Sequence, residues 1–523
     1  MVSPARILPM GERALLVEVA ALDEVLALHG RLEASRPPGV VELVPAARTV
    51  LVCLDPDVLA LSAARSWIER SGAARGRRVD ASGPRVELPI AYDGPDLADT
   101  AALLGVDVDE LVRRHRDAEW TVAFTGFAPG FGYLVSDGWR FDVPRLGTPR
   151  TRVPPGAVGL AAGFTGAYPR ETPGGWRLIG TTPAPLWRPG AEPPALLAPG
   201  TRVQFVEESS PARGSSRHPL HGSVARAPRT GAERSDAVRV TQPGLLATVQ
   251  DLGRPGRAAE GVARSGALDR GALRTANRLV GNDERAAGIE VTMGGLRAVA
   301  ERDLWVAVAG GWGPIRIDGE AIDPYGAARW PAGTELHVDW LARGARSYLA
   351  VRGGIDTEVV AGARAADLMA GLGHAPLAAG DVLPVGVADA PIPPADLAPW
   401  GPPDDAELEL ELAPGPRADW FPADAQRLLF EARWVVTNDA DRVGMRLDGP
   451  ALDRTRDGEL PSEGMVPGAL QVPPGGRPTI LLADGPVTGG YPVIAVVADA
   501  SLDALAQARP GTGIRFRHAR PVL

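Results

Sequence analysis

The chain has 523 residues and a formal net charge of −9, with 45% apolar and 23% charged residues. That balance can build several hydrophobic cores, and no run concentrates enough positive charge to track a phosphate backbone, which argues against nucleic acid as the main partner. A single cysteine excludes an internal disulfide, and no apolar run is long enough for a membrane span or a signal-peptide core, so a soluble cytoplasmic protein is expected.

From the N-terminus, Arg6–Leu8 and Ala14–Val19 read as strands. An amphipathic helix follows over Leu22–Ala34, then strands Val40–Val44 and Thr49–Leu54, then a helix through Leu59–Ser71. Helices interleaved with short strands predict a small α+β domain over 1–83. Cys53, inside the apolar run 50–54, reads as a core thiol. Over 84–206 the pattern changes to short strands punctuated by Pro and Gly, with one helix at Asp107–Asp117, which predicts a β-barrel. Residues 207–237 are Ser-, Arg-, Gly- and Pro-rich and read as a flexible linker, with His218 and His221 solvated in it. Beyond it, 238–400 and 401–523 read as two further β-rich subdomains, with one helix opening at Asp269, its expected N-cap.

Two stretches repeat in order. Val153-Pro154-Pro155-Gly156, Thr165-Gly166-Ala167-Tyr168-Pro169 and Pro199-Gly200-Thr201 match Val472-Pro473-Pro474-Gly475, Thr488-Gly489-Gly490-Tyr491-Pro492 and Pro510-Gly511-Thr512. The pattern predicts one barrel unit used twice.

All 55 basic residues are arginine. Without lysine there is no Walker-type phosphate ligand, no Schiff base, no Ser–Lys nucleophile pair and no attachment point for biotin. Anion binding therefore falls to arginine forks and to backbone N–H groups in glycine turns. Arg145, Arg150 and Arg152 lie along a Pro-locked extended segment. Arg150 and Arg152, two apart, share a strand face and suit either an anionic substrate group or a solvated barrel surface. Phe127–Leu134, Gly174–Gly175 and Gly489–Gly490 are candidate nests, with Thr165 and Thr488 as hydroxyl donors and Tyr168 and Tyr491 beside them. Asp251 and Arg254 read as a turn closed by its own ion pair. The remaining histidines show no ligand spacing, and no metal site is expected.

The runs Phe127-Ala128-Pro129-Gly130-Phe131-Gly132-Tyr133-Leu134, Pro149-Arg150-Thr151-Arg152-Val153-Pro154 and Thr165–Pro169 resemble the first of two paired bacterial subunits long called allophanate hydrolase subunits 1 and 2. Thr248-Val249-Gln250-Asp251-Leu252-Gly253-Arg254, Gly266-Ala267-Leu268-Asp269, Asp439-Ala440-Asp441-Arg442-Val443-Gly444, Ser462-Glu463-Gly464 and Thr488–Pro492 resemble the second. The chain looks like a fusion of the two. The resemblance implies an α+β, mainly β protein, with a ferredoxin-like N-terminal domain and cyclophilin-like β-barrels.

For function, the resemblance implies the B and C subunits of ATP-dependent 5-oxoprolinase, which open 5-oxo-L-proline to L-glutamate. ATP with Mg would be a substrate, and a separate A subunit would be needed for activity. A carboxyltransferase-like component serving a biotin carrier on another chain, and a kinase-binding regulator, are the alternatives. The partners implied are the A subunit and a small cyclic amide, with homo-oligomer formation as a further option. Within this family match, Asp439 and Asp441 could hold Mg²⁺ with a nucleotide or tune one another for acid–base work. Arg442 and a general base, Glu463, complete the catalytic candidates. Arg145, Arg150, Arg152, Thr165, Tyr168, Asp251, Arg254, Thr488 and Tyr491 are the candidates for substrate or nucleotide binding.

Overall fold

A computed structural model describes residues 5–73, 83–148, 150–189, 191, 194–208, 235–388, 390–394, 401–404, 407–456 and 460–519. Most of the expected linker, with His218 and His221, lies outside the described residues. The chain divides into two compact units that do not follow chain order: residues 1–80, 126–129 and 236–523 form one, and 81–125 with 130–235 the other. Among the described residues, no helix is long and apolar enough to cross a membrane.

The N-terminal strands Arg6–Pro9, Ala14–Glu18, Thr49–Leu54 and Val40–Pro45 lie side by side in that order, all antiparallel. This is the split βαβ arrangement, with the outer strand supplied from the N-terminal side. Helix Leu22–Ala34 buries Val25, Leu28 and Leu32, the positions its period places on one face. Together with Trp67 and Ile68 of the second helix they cover Leu15, Val17, Val50 and Val52. Because side chains alternate along a strand, Ala14, Leu16 and Leu51 point to the opposite face. There they pack with Met465, Ala469, Val487 and Val493 of the C-terminal barrel. A sheet buried on both faces ties residues 5–73 to the C-terminal barrel within that unit.

Residues 235–385 form a six-stranded and a five-stranded sheet that enclose an aliphatic core. Helix Arg270–Leu279 lays Leu273 and Ala276 against Ala307, Ala309 and Tyr348 of the five-stranded sheet.

The C-terminal strands close into a seven-stranded barrel. Its order is Glu407–Pro414, Val493–Val497, Ala469–Gln471, Thr479–Leu481, Gly444–Asp448, Trp434–Ala440 and Gly513–His518, with the last strand parallel to the first. The second unit repeats it strand for strand. Arg85–Ile90 runs parallel to Arg202–Glu207, followed by Trp120–Thr125, Gly132–Val135, Phe164–Ala167, Ala157–Ala161 and Arg177–Thr181, and a bridge from Thr181 to Ala91 returns to the first strand. Even the tryptophan anchors correspond. Trp120 Nε1 donates to the His115 carbonyl at 2.9 Å, and Trp434 Nε1 to the Leu429 carbonyl at 3.0 Å, each five residues back.

The duplication is real, but two of its three sequence matches are out of register. Thr488–Gly489 pairs with Glu463–Gly464 as Thr172–Gly174 pairs with Arg150–Val153, so the counterpart of the Thr488 motif is Thr172-Pro173-Gly174-Gly175-Trp176. Likewise Gly156 (φ +79°) corresponds to Gly468 (φ +87°), each in the left-handed turn before a strand. Only the Pro-Gly-Thr match stands as read. Helices Leu97–Leu103, Ala423–Glu431 and Asp499–Ala506 were not anticipated from sequence.

Candidate functional site

The residues singled out from sequence do not gather at one point. Asp439 and Asp441 are both exposed and turn to different tasks. Asp439 pairs with Arg446 at 3.0 Å, and Asp441 Oδ1 accepts the Val443 and Gly444 N–H groups to close the hairpin turn. That geometry does not make a shared metal seat. Their neighbour Arg442 points the other way and is 2% exposed. Its Nη1 donates to Glu290 at 2.5 Å, and Nε and Nη2 fork onto Asp484 at 2.9 and 3.0 Å. Nη2 also donates to the Gly266 carbonyl at 2.7 Å.

Glu290 in turn accepts from the Tyr348 hydroxyl at 2.7 Å and the Leu268 N–H at 3.1 Å. Burial alone would raise the Glu290 carboxyl, but the Arg442 and Arg346 charges and these hydrogen bonds hold it below its ordinary value. Arg442 thus joins the strand Gly288–Thr292, the Gly266 turn and the Asp484 loop in one buried node.

Arg254 lies beside this node. The expected ion pair with Asp251 does not form. Asp251 accepts the Gly253 and Arg364 N–H groups at 2.8 and 2.7 Å, while the buried Arg254 donates to the Ala365 carbonyl. Burial and the Asp484 charge push Asp367, close to Arg254, up to about 6. Asp269 is the helix N-cap as expected, accepting the Ala272 N–H at 2.8 Å. Burial and the Asp503 charge push it up to about 7, against hydrogen bonds from Ala272 and Gln507 that pull the other way.

Glu463 is buried and clasped by Arg417, whose guanidinium also reaches Glu18 at 2.8 Å. Thr488, paired with the adjoining Gly464, is buried, and Thr488 Oγ1 accepts the Phe127 N–H at 2.8 Å, with Phe127 in a left-handed conformation (φ +63°). Tyr491 is exposed.

In the second unit, Arg150 and Arg152 do not form one clamp. Arg150 pairs with Asp96 at 2.6 Å, and Asp96 also accepts the Leu178 N–H at 2.7 Å. Arg152 is on the surface, with its side chain 76% exposed, and forks onto Glu171. Tyr168 is buried against Phe131. Burial raises its hydroxyl, opposed by the Arg145 and Arg150 charges. A side chain at Gly174 would meet that hydroxyl at 2.6 Å, so this glycine makes room as well as closing a turn. Thr165 is buried, and its Oγ1 meets His115 Nε2 at 2.9 Å.

A concavity of the first unit lies elsewhere. It is a cleft of about 550 Å³ between the N-terminal sheet and the C-terminal barrel, continuing into a recess of about 380 Å³. Arg13, Arg264, Arg270, Arg274 and Arg285 line it, with Met465, Leu481 and Val487 among its apolar wall. Sequence reasoning missed this site. The one signal was Arg270 and Arg274, four apart on a helix whose opposite face is apolar; the others come from distant segments.

Comparison with known proteins divides the chain in sequence order instead. Residues 5–197 match the carboxyltransferase domain, subdomain C and D, and residues 260–518 the carboxyltransferase domain, subdomain A and B. The C subunit of 5-oxoprolinase from Escherichia coli K12 is 38% identical over 292 residues, covering 53% of this chain and 90% of that protein. The B subunit of 5-oxoprolinase from Escherichia coli O157:H7 is 38% identical over 217 residues, covering 39% of this chain and 96% of that protein. The crystal structure of TTHA0988 superposes with a TM-score of 0.83 at 36% identity, covering 97% of this chain and 99% of that one. The chain therefore belongs to the carboxyltransferase-domain family, with subdomains C and D followed by A and B in one polypeptide.

Proposed function

We propose that this chain is a fused B and C component of an ATP-dependent 5-oxoprolinase. In that role it acts with a separate A subunit to open 5-oxo-L-proline to L-glutamate as ATP is hydrolysed. The observation that carries the reading is that one chain covers nearly the whole of a B subunit and nearly the whole of a C subunit, 96% and 90% of their lengths. ATP with Mg enters as a substrate, and neither lysine nor biotin takes part on this chain. The absence of lysine also fits a component that relies on a partner for nucleotide chemistry. A second reading, favoured by the family description itself, is a carboxyltransferase that receives its carboxyl group from biotin on another chain.

The test is reconstitution. The chain and its cognate A subunit are mixed with 5-oxo-L-proline and Mg–ATP, and glutamate and phosphate are measured. Stoichiometric release of both supports the 5-oxoprolinase reading. Carboxylation of a small amide with a biotin carrier, and no glutamate, supports the second.

A further inference from the structure

The cleft between the N-terminal sheet and the C-terminal barrel is lined by arginines and carboxylates alike, Asp55 and Asp57 at its edge included, but not every guanidinium in it is paired. Glu12 accepts the Asp499 N–H at 3.0 Å, Asp499 pairs with Arg13, and Glu42 accepts the Gly256 N–H at 2.6 Å. Asp503 accepts the Arg270 and Gly271 N–H groups at 2.9 and 3.2 Å, so the helix N-terminus is already capped. Arg274 pairs with Glu284 at 3.7 Å. Of the remaining three, Arg285 is exposed, and Arg264 and Arg270 are half-buried. Neither Arg264 nor Arg270 makes an ion pair among the described residues, and Arg264 Nε is buried without a hydrogen-bond partner. By contrast, the buried guanidiniums of Arg417 and Arg442 close on carboxylates.

Holding two half-buried forks close together without an ion pair is unfavourable unless a ligand completes them. Burial and the neighbouring Arg264 charge push Arg270 down to about 9, against the Asp503 charge that pulls the other way. The cavity is of the size that takes a small organic ligand, and its apolar wall would enclose the uncharged part.

We propose that this cleft is an oxyanion-binding site in which Arg264 and Arg270 grip the carboxylate or phosphoryl group of a small ligand. The choice of ligand rests on the 5-oxoprolinase reading: the carboxylate would be that of the cyclic amide, and the phosphoryl group that of the nucleotide. Paired forks recognise either oxyanion bidentately.

The test is calorimetric titration of the full chain with 5-oxo-L-proline, its neutral amide, inorganic phosphate and Mg–ATP. The expected result is binding of at least one anion, no binding of the neutral amide, and a loss of roughly tenfold or more in affinity in Arg264→Gln and in Arg270→Gln. Arg270→Lys, which keeps the charge and loses the fork, should fall between, and Arg329→Gln on a distant sheet should match the parent. Melting temperature checks folding. Binding of 5-oxo-L-proline alone assigns the carboxylate, and binding of phosphate and ATP alone assigns the phosphoryl group. Anion affinity unchanged in both glutamine variants, or no binding of any probe, overturns the site. The two proposals fail separately. Turnover by the assembled enzyme with KM and kcat unchanged in both variants removes the anion site and leaves the 5-oxoprolinase reading. Arginine-dependent anion binding in a chain inert with its A subunit does the reverse.

Discussion

His115 stands where the duplicated barrel has Leu429, and lowering the pH should expose the difference. Its ring is fully buried, with Nδ1 2.9 Å from the Tyr92 hydroxyl, Nε2 2.9 Å from Thr165 Oγ1, and the Phe205 ring centroid at 4.3 Å. Burial lowers its pKa from the ordinary 6.5 to about 3, because a charged ring has no carboxylate to meet it. The folded state therefore refuses a proton that the unfolded chain accepts. Stability from this group is present above about 6.5 and lost progressively as pH falls toward the folded value. At about 1.4 kcal/mol per pH unit once the unfolded ring is charged, the loss between pH 7 and 5 is about 2 kcal/mol. That figure hardly depends on how far below 4 the folded value lies. His115→Gln removes the titration, so the stability difference between parent and variant should shrink by this amount over the same range. Urea unfolding read by hydrogen exchange in strands Trp120–Thr125 and Ala157–Ala161 isolates the barrel that holds the ring. A difference independent of pH would mean that His115 is protonated, or hydrated, in the fold.

Arg442→Met should cost about 3–5 kcal/mol, since Glu290 and Asp484 would be left buried without their cation. With Arg442 gone the Glu290 carboxyl rises, and a raised carboxyl favours the fold at low pH, so denaturation midpoints should fall further at pH 8 than at pH 5. Gly156→Ala and Gly468→Ala should each cost about 1–2 kcal/mol for left-handed backbone, with Gly156→Ala the worse because its new methyl would press on the Thr182 carbonyl. Equal stability of either variant and its parent would undo the turn equivalence between the barrels. Arg152→Gln should leave melting temperature and turnover unchanged, as its fork lies on exposed Glu171. Chains 1–208 and 235–523 expressed separately should co-purify, because Leu16 and Leu51 share a core with Met465 and Val493. Separation on a sizing column would contradict that shared core.

Much of the architecture was legible because it is local. The period of Val25, Leu28 and Leu32 gives the first helix, and Asp269 marks the start of the helix that it caps. The duplication was legible as a fact and misread in register, since Thr-Gly and Val-Pro-Pro-Gly recur wherever tight turns precede strands. Strand order settles the register, and strand order comes from pairing between residues far apart in sequence. The site candidates divide on the same ground. Arg442, Glu463 and Thr488 were picked out by motif, but their partners Glu290, Arg417 and Phe127 arrive from distant segments, and those partners decide what each side chain does. Arg264 sits in no motif. Its significance lies in a buried Nε that no hydrogen-bond partner meets, which only the folded arrangement can reveal.

The most direct measurement is coupled release of glutamate and phosphate from 5-oxo-L-proline and Mg–ATP by this chain with its cognate A subunit. The account predicts release of both in equal amounts from the mixture, and little or none from either protein alone. Full turnover by the lone chain, or a mixture that hydrolyses ATP without forming glutamate, would contradict it.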